Sequence, residues 1–371
     1  MIYLDWAASA PMYPEALEEL RRCAEELYAN PGGVHAAAGR ARAVIQSSRR
    51  LLAELLGAPD SAVYFCSGGT EANNWAVRCG AGREGGHLLI GACEHKSVLE
   101  SARSMRERGF EVTLLYPDAE GRYNPDRVEA AIRPDTRLIS LQAANNETGA
   151  IQDVAAIADA AAGHGVRFHC DAVQSFGHVP LPLGRADMVS VTAHKLGGPR
   201  GIGCLAVPRG LPPAPLIRGG GQEAGRRAGT ENTAAIAAFA AAAARACAEQ
   251  EAERERLTRL RAGFKSLLTE AAPGVVFHES ADVLPGILNC AFPGLSGEEV
   301  FMRLDLQGIC VSTGAACAAA EGAPSHVLLA MGCSEDEARR SVRFSMGRLT
   351  TAGELETAAA AVARIVRGKK K

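Results

Sequence analysis

The sequence has almost no net charge, no apolar run long enough to cross a bilayer, no cationic leader and no low-complexity linker. Lys plus Arg number 40 against 42 for Asp plus Glu, a formal charge of -2, so there is no positive field to hold a nucleic-acid backbone or an anionic membrane. The longest nearly uninterrupted apolar stretch, Ala234 to Ala244, is too short to span a membrane, mostly alanine, and followed by Arg245. It reads as a buried helix. The first residues, MIYLDWAASAP, carry Asp5 where a signal peptide needs cations before an apolar segment, and the expectation is a cytoplasmic protein. The 11 cysteines are irregularly spaced and odd in number, which argues for reduced thiols rather than a disulfide framework.

What is present is ample apolar material. The 371 residues are 47% hydrophobic and 22% charged, ordinary globular usage in a chain long enough for two or three domains. From about residue 35 to 210, short β-rich runs alternate with Ala/Arg/Glu-rich helical stretches. The expected strands are 62–66, 87–90, 111–116, 137–141, 166–170, 188–191 and 204–207. Seven such runs predict one large, mainly parallel sheet flanked by helices, an α/β domain. A long connecting helix follows between Thr233 and Glu270, with Leu257, Leu260, Phe264 and Leu267 at helical spacing. Turn-rich segments (VVFHES, GILNCAFPG, GICVSTG, SVRFSMG) then predict a smaller α+β domain. The expected division is 14–252 and 253–371, with residues 1–13 packed on the smaller unit.

Ligands of open α/β sheets bind beyond the carboxyl ends of the strands. AVYFC runs into Ser67-Gly68-Gly69-Thr70-Glu71 and a helix, either a phosphate cradle of backbone N–H groups or an ordinary capped turn. Glu94-His95 follows the next strand and NNETG (145–149) a later one; Asp171-Ala172-Val173-Gln174 closes VRFHC. Taken singly, Asp171 is a helix cap and His95 a satisfied loop histidine. DMVSVTA ends in His194-Lys195 and then Gly-rich sequence, where a desolvated lysine becomes nucleophilic enough for a Schiff base; the ordinary alternative is a solvated lysine. Gly219-Gly220-Gly221 leads to Arg227-Ala228-Gly229-Thr230, an anion-binding turn or an interdomain loop in equal measure. The combination decides: phosphate loop, ring-stacking histidine, aspartate for a pyridinium nitrogen and lysine for an imine are the parts pyridoxal phosphate requires. In the smaller domain, Cys317 lies in a run of Ala and Gly that predicts an accessible loop, whereas Cys310 in GICVS reads as a buried strand residue. Cys310, Cys317, His326 and Cys333 lack the paired short spacings of zinc modules, and no metal site is expected.

These motifs, with Asp5 and Ala7-Ala8, Asn30-Pro31, His35 and Gly39, SGGTEANN, GGGQE, RAGT and VRFSMGR, run nearly end to end. Through them the chain resembles the cysteine desulfurases of the NifS/IscS type, within the class V aminotransferase-like, fold-type I pyridoxal phosphate enzymes. The resemblance implies that Lys195 carries the cofactor as an imine, His95 stacks on its ring, Asp171 meets the ring nitrogen and Gln174 the phenolic oxygen. Gly69, Thr70, Thr192 and His194 would hold the phosphate, with Thr230 reaching it from the partner of a homodimer. Asn146 would lie against cofactor and substrate, Arg343 would pair with the substrate carboxylate, and Cys317 would take the sulfur of L-cysteine as a persulfide, with alanine as product. A sulfur-acceptor protein, an iron–sulfur scaffold or a thiolation carrier, is the implied partner. The chain departs from the family at Ala315, Thr192 and Arg200, none of which removes a catalytic function. The alternative is a class V aminotransferase or a selenocysteine/cysteine lyase on the same cofactor site.

Overall fold

In a computed structural model, covering residues 1–58, 61–83, 85–208, 210–211, 213–313 and 323–368, all seven expected strands form and end within one residue of the expected limits. The chain starts with a two-residue strand, β1 (Ile2–Tyr3), then helices α1 (Pro14–Glu26) and α2 (Ala36–Leu55). The strands of the large sheet are β2 (Ser61–Cys66), β3 (Gly86–Gly91), β4 (Phe110–Leu115), β5 (Thr136–Ser140), β6 (Arg167–Asp171), β7 (Met188–Thr192) and β8 (Gly203–Pro208). Their order is β2-β8-β7-β6-β5-β3-β4. β8 runs antiparallel to both neighbours and every other pairing is parallel. The carboxyl ends of β2, β3, β5, β6 and β7 therefore meet along one edge of the sheet.

Helices cover both faces, as a buried parallel sheet requires. On one lie α3 (Gly69–Ala81) and α4 (Lys96–Arg106), whose Trp75, Val77, Val98 and Met105 pack on Leu88, Ile90 and Leu205. On the other, α2, α6 (Val154–Gly163, after the short α5, Pro125–Ala130) and the long helix Thr233–Ala271 bury Leu52, Ile157 and Phe239 against Leu89, Ile139 and Val191. The long helix has 39 residues, about 58 Å at 1.5 Å per residue. Asn232 caps it by accepting from the Ala235 amide, its alanine-rich first half sits in the large core, and Leu257, Phe264 and Leu268 of its second half enter a separate core.

That second core surrounds the antiparallel sheet β12-β10-β9, formed by β9 (Val276–His278), β10 (Ile287–Ala291) and β12 (Ser341–Ser345). β11 (Ile309–Cys310) pairs in parallel with β1, and Leu4 lies in the same core. The amino-terminal segment then crosses toward the large sheet. It passes Gly347, where any side chain would overlap Trp6, the nearest ring atom being 2.1 Å from a built Cβ. Cys310 departs from expectation: it is half-buried, because β11 has a strand on one side only. Among the described residues, no helix is long and apolar enough to cross a membrane.

Candidate active site

Asp171 ends β6 at the centre of the sheet edge, buried to 6% exposure. Its Oδ1 accepts from the Val173 amide at 2.9 Å and its Oδ2 from Asn73 Nδ2 at 2.6 Å. Both donors are neutral, and burial raises the Asp171 pKa, partly offset by these bonds and by nearby His95 and Lys195. Asn73 lies on the buried face of α3 and also donates to Ser97 Oγ at 3.0 Å. Ser97 Oγ in turn lies 2.7 Å from His95 Nδ1, which also accepts from the Ser97 amide and so caps α4. Since Nδ1 is an acceptor here, the neutral ring carries its proton on Nε2. Burial lowers the His95 pKa, with Asp171 opposing and Lys195 reinforcing. Four side chains from three elements thus form one chain, Asp171–Asn73–Ser97–His95.

Lys195 stands in the turn after β7. Its Nζ donates to the Ala7 carbonyl, and Gln174 Nε2 donates to the same oxygen at 3.1 Å. The amino-terminal segment therefore gathers two residues that the resemblance assigns to one cofactor. A cavity of about 80 Å³ reaches both, with Trp6, Tyr13 and Arg348 among its other walls. His194 lies 3.4 Å from Ser9 Oγ, and burial, reinforced by Lys195 and Arg200, lowers its pKa to about 4.

The Gly68–Gly69 turn opens α3. A Cβ on Gly69 would stand 2.8 Å from Val173 Cγ2, so only glycine lets the helix terminus approach the Asp171 turn this closely. Glu71 accepts from the Ser67 amide and holds Arg227 through two bonds, 2.9 and 3.1 Å, so Arg227 is committed to a protein carboxylate. Thr70 and Thr230 are exposed. Thr230 lines a cavity with Ser67, Gly201 and Arg227 of its own chain. Thr192 is buried, and its hydroxyl donates to the Ile202 carbonyl at 3.1 Å.

Across the cleft, Arg343 on β12 is buried, with Nη2 on Asp5 Oδ1 at 2.7 Å and Nη1 on the Asn146 carbonyl at 2.8 Å. Its Nε has no hydrogen-bond partner among the described residues. Asn145 Oδ1 accepts from the Glu147 and Thr148 amides and fixes the turn that aims the Asn146 carbonyl. Glu147 accepts from Ser325 Oγ, and His326 Nε2 lies 3.0 Å from the Glu94 carbonyl. Cys317 lies outside the described residues. Asn73, Ser97 and Ser325 were not singled out from the sequence. The available signal was the polarity of Asn73 on a helix face otherwise made of Ala72, Trp75 and Ala76, since a buried amide must find partners.

The residues fit pyridoxal phosphate. A buried carboxylate held only by neutral donors suits a cationic ring N–H, a helix terminus opened by two glycines suits a phosphate, and an amine beside them suits a carbonyl. These demands place the chain among the enzymes of aminotransferase fold. The class-V aminotransferase family model matches residues 2–357. Cysteine desulfurase IscS of Dictyoglomus turgidum is 37% identical over 98% of this chain and 94% of its own length; that of Anaeromyxobacter dehalogenans is 39% identical over 96% and 90%. A solved NifS-like protein superposes with a TM-score of 0.92 at 30% identity, covering 99% of both chains. SspA, solved in complex with cysteine, gives 0.83 at 34% over 95% of this chain and all of its own. The chain belongs to the class-V aminotransferase family, and within it to the cysteine desulfurases of the NifS/IscS type.

Proposed function

We propose that the protein converts L-cysteine to L-alanine, using pyridoxal phosphate bound at Lys195 and passing the sulfur to Cys317. The observation that carries this reading is the meeting of Lys195, Gln174, Asp171 and His95 at one sheet edge, in a chain similar to cysteine desulfurases along nearly its whole length. When bound, the cofactor withdraws electrons from the substrate α-carbon, making the α-proton acidic and the sulfur a leaving group.

The rest is the work of the protein's own groups. Asp171 keeps the ring nitrogen protonated, and Asn73 and the Val173 amide orient that carboxylate. His95 packs against the ring as a neutral imidazole. Gly69, Thr70, Thr192 and His194 hold the phosphate, with Thr230 supplied by the partner in a homodimer; Thr192 must turn away from Ile202 to donate there. Arg343, already aligned by Asp5 and the Asn146 carbonyl, binds the substrate carboxylate. The Lys195 amine, once displaced by substrate, takes the α-proton and returns it. The Cys317 thiolate attacks the substrate sulfur: an S–S bond forms, the C–S bond breaks, its electron pair passes to carbon, and protonation completes alanine. The supports for Cys317 are its motif and the resemblance. The division into 14–252 and 253–371, the cytoplasmic location and delivery to an iron–sulfur scaffold or thiolation carrier belong to the same reading.

The test is mass spectrometry of the cofactor-loaded protein after L-cysteine without reductant. One added sulfur on the Cys317 peptide, removed by thiol and absent in Cys317→Ala, is expected. Added sulfur elsewhere, or none while alanine accumulates, would refute Cys317 as acceptor.

A further inference from the structure

Away from the cleft, the fold joins three side chains that are distant in sequence. His278 ends β9, Cys333 follows the short helix His326–Ala330, and Glu337 lies on the next, Glu335–Arg339. A ring nitrogen of His278, Cys333 Sγ and a Glu337 carboxylate oxygen all lie within 4.8 Å of one another. His278 is buried, while Cys333 and Glu337 are half-buried, so the group opens to solvent on one side.

The hydrogen bonds around His278 orient its ring. Asn289 Nδ2 donates to the Glu147 carbonyl at 3.3 Å, which turns Asn289 Oδ1 toward His278 Nδ1, 2.8 Å away. An amide oxygen only accepts, so Nδ1 is the donor. With Nδ1 donating, Nε2 faces Glu337 Oε1 at 2.9 Å, a contact made favourable by a proton shared between the two atoms or by a bound cation. A shared proton engages only these two groups. A metal ion would use all three groups.

We propose that His278 Nε2, Cys333 Sγ and a Glu337 oxygen form a binding site for a divalent cation of the zinc class. Imidazole and thiolate with a single carboxylate suit zinc rather than the oxygen-seeking calcium or magnesium. A hydrogen bond from the distal ring nitrogen, here Nδ1–H to Asn289, is the usual device that orients a ligating histidine. At metal–ligand distances of about 2.0–2.3 Å, tetrahedral ligand atoms stand about 3.3–3.8 Å apart, reached by small rotations of the half-buried Cys333 and Glu337 side chains. The thiol gives up its proton to solvent on binding, and water takes the fourth position. The ion would pin β9 to the segment that leads into β12 and Arg343. Through Asn289 and Glu147 it would also stiffen the support of Ser325.

The test uses the Cys317→Ala holoenzyme, so that this other thiol cannot contribute, stripped with chelator and dialysed against Zn²⁺. One equivalent bound per chain is expected, with affinity at least tenfold weaker after adding Cys333→Ser or His278→Gln, and a rise in thermal midpoint with Zn²⁺ that Cys333→Ser abolishes. Because Cys333 is half-buried and serine nearly isosteric, that variant decides the matter even if His278→Gln is unstable. Zn²⁺ affinity unchanged in Cys333→Ser, or no retained ion in the parent, would overturn the proposal.

Discussion

Arg343 and Asp5 stand 338 positions apart in the chain and 2.7 Å apart in the structure. The guanidinium is buried at 2% exposure, so Asp5 offsets part of a charge that would otherwise be costly to bury. The same contact ties the amino-terminal segment, whose Ala7 carbonyl receives Lys195 and Gln174, to the strand that carries Arg343, the residue proposed to bind the substrate carboxylate.

Asp5→Ala is expected to destabilise the protein by about 3 kcal/mol, the low end for breaking a buried pair because Asp5 keeps some solvent contact. It should raise KM for L-cysteine about tenfold with a smaller change in kcat, since Arg343 loses alignment rather than charge. Urea unfolding and steady-state kinetics read the two effects separately.

Asn73 links Asp171 to Ser97 and thence to His95. Asn73→Ala leaves Asp171 with one donor and Ser97 with none, and about a tenfold loss in kcat/KM is expected, the worth of one hydrogen bond to a charged group. Asn73→Asp, which sets a second carboxylate against Asp171, should lose more. The pH titration of the bound cofactor's absorbance should shift in both variants and stay unchanged in an exposed control on the same helix, such as Arg78→Ala.

Glu94 is fully buried, one carboxylate oxygen has no partner among the described residues, and burial with the nearby Asp171 charge pushes its pKa well above the ordinary 4.5. The folded state therefore holds this proton at pH values where the unfolded chain has lost it. Its contribution to stability is full below about pH 4.5 and is lost as pH rises toward the folded pKa. His169, bonded to Ser140 and Ser190 and with its pKa lowered by burial to about 3, has the opposite sign and weakens the fold as pH falls below about 6.5. Glu94→Gln should therefore unfold at higher urea than the parent at pH 8, with the gap shrinking or reversing at pH 5. A constant gap would contradict the assignment.

Glu223 and Ala224 both adopt left-handed backbone, with φ of 48° and 56°. The strain is held by the Glu223 carboxylate, which takes two bonds from Arg49, 2.7 and 2.8 Å, and one from the Phe65 amide. Ala224→Gly is expected to stabilise by about 1 kcal/mol, because glycine pays no penalty in that region. Glu223→Ala should destabilise by about 3 kcal/mol by stranding Arg49. Thermal unfolding distinguishes both from the parent.

The strands of the large sheet were readable because each is a short apolar run closed by a turn, and the candidate site residues Asp171, Lys195 and His95 stand where those runs stop. The connections between these residues were not readable. Asn73 and Ser97 meet only when α3 and α4 pack on the same face, and Asp5 reaches Arg343 because the amino-terminal segment bridges β12 at Ser345. The GGGQE segment looked equally suited to anions or to a loose loop. In the structure, Glu223 anchors it on Arg49 and Arg227 is spent on Glu71, partners that no local pattern reveals. The cluster of His278, Cys333 and Glu337 is likewise tertiary, which is why cysteine spacing gave no sign of it.

The most direct measurement is of sulfide, alanine and keto acid together after incubating the cofactor-loaded protein with L-cysteine and a thiol reductant. Equimolar sulfide and alanine, without keto acid and lost in Cys317→Ala that still binds cofactor, is the predicted result. Keto acid in place of alanine, or alanine formed equally well by Cys317→Ala, would contradict the account and return the chain to the aminotransferases or lyases of its family.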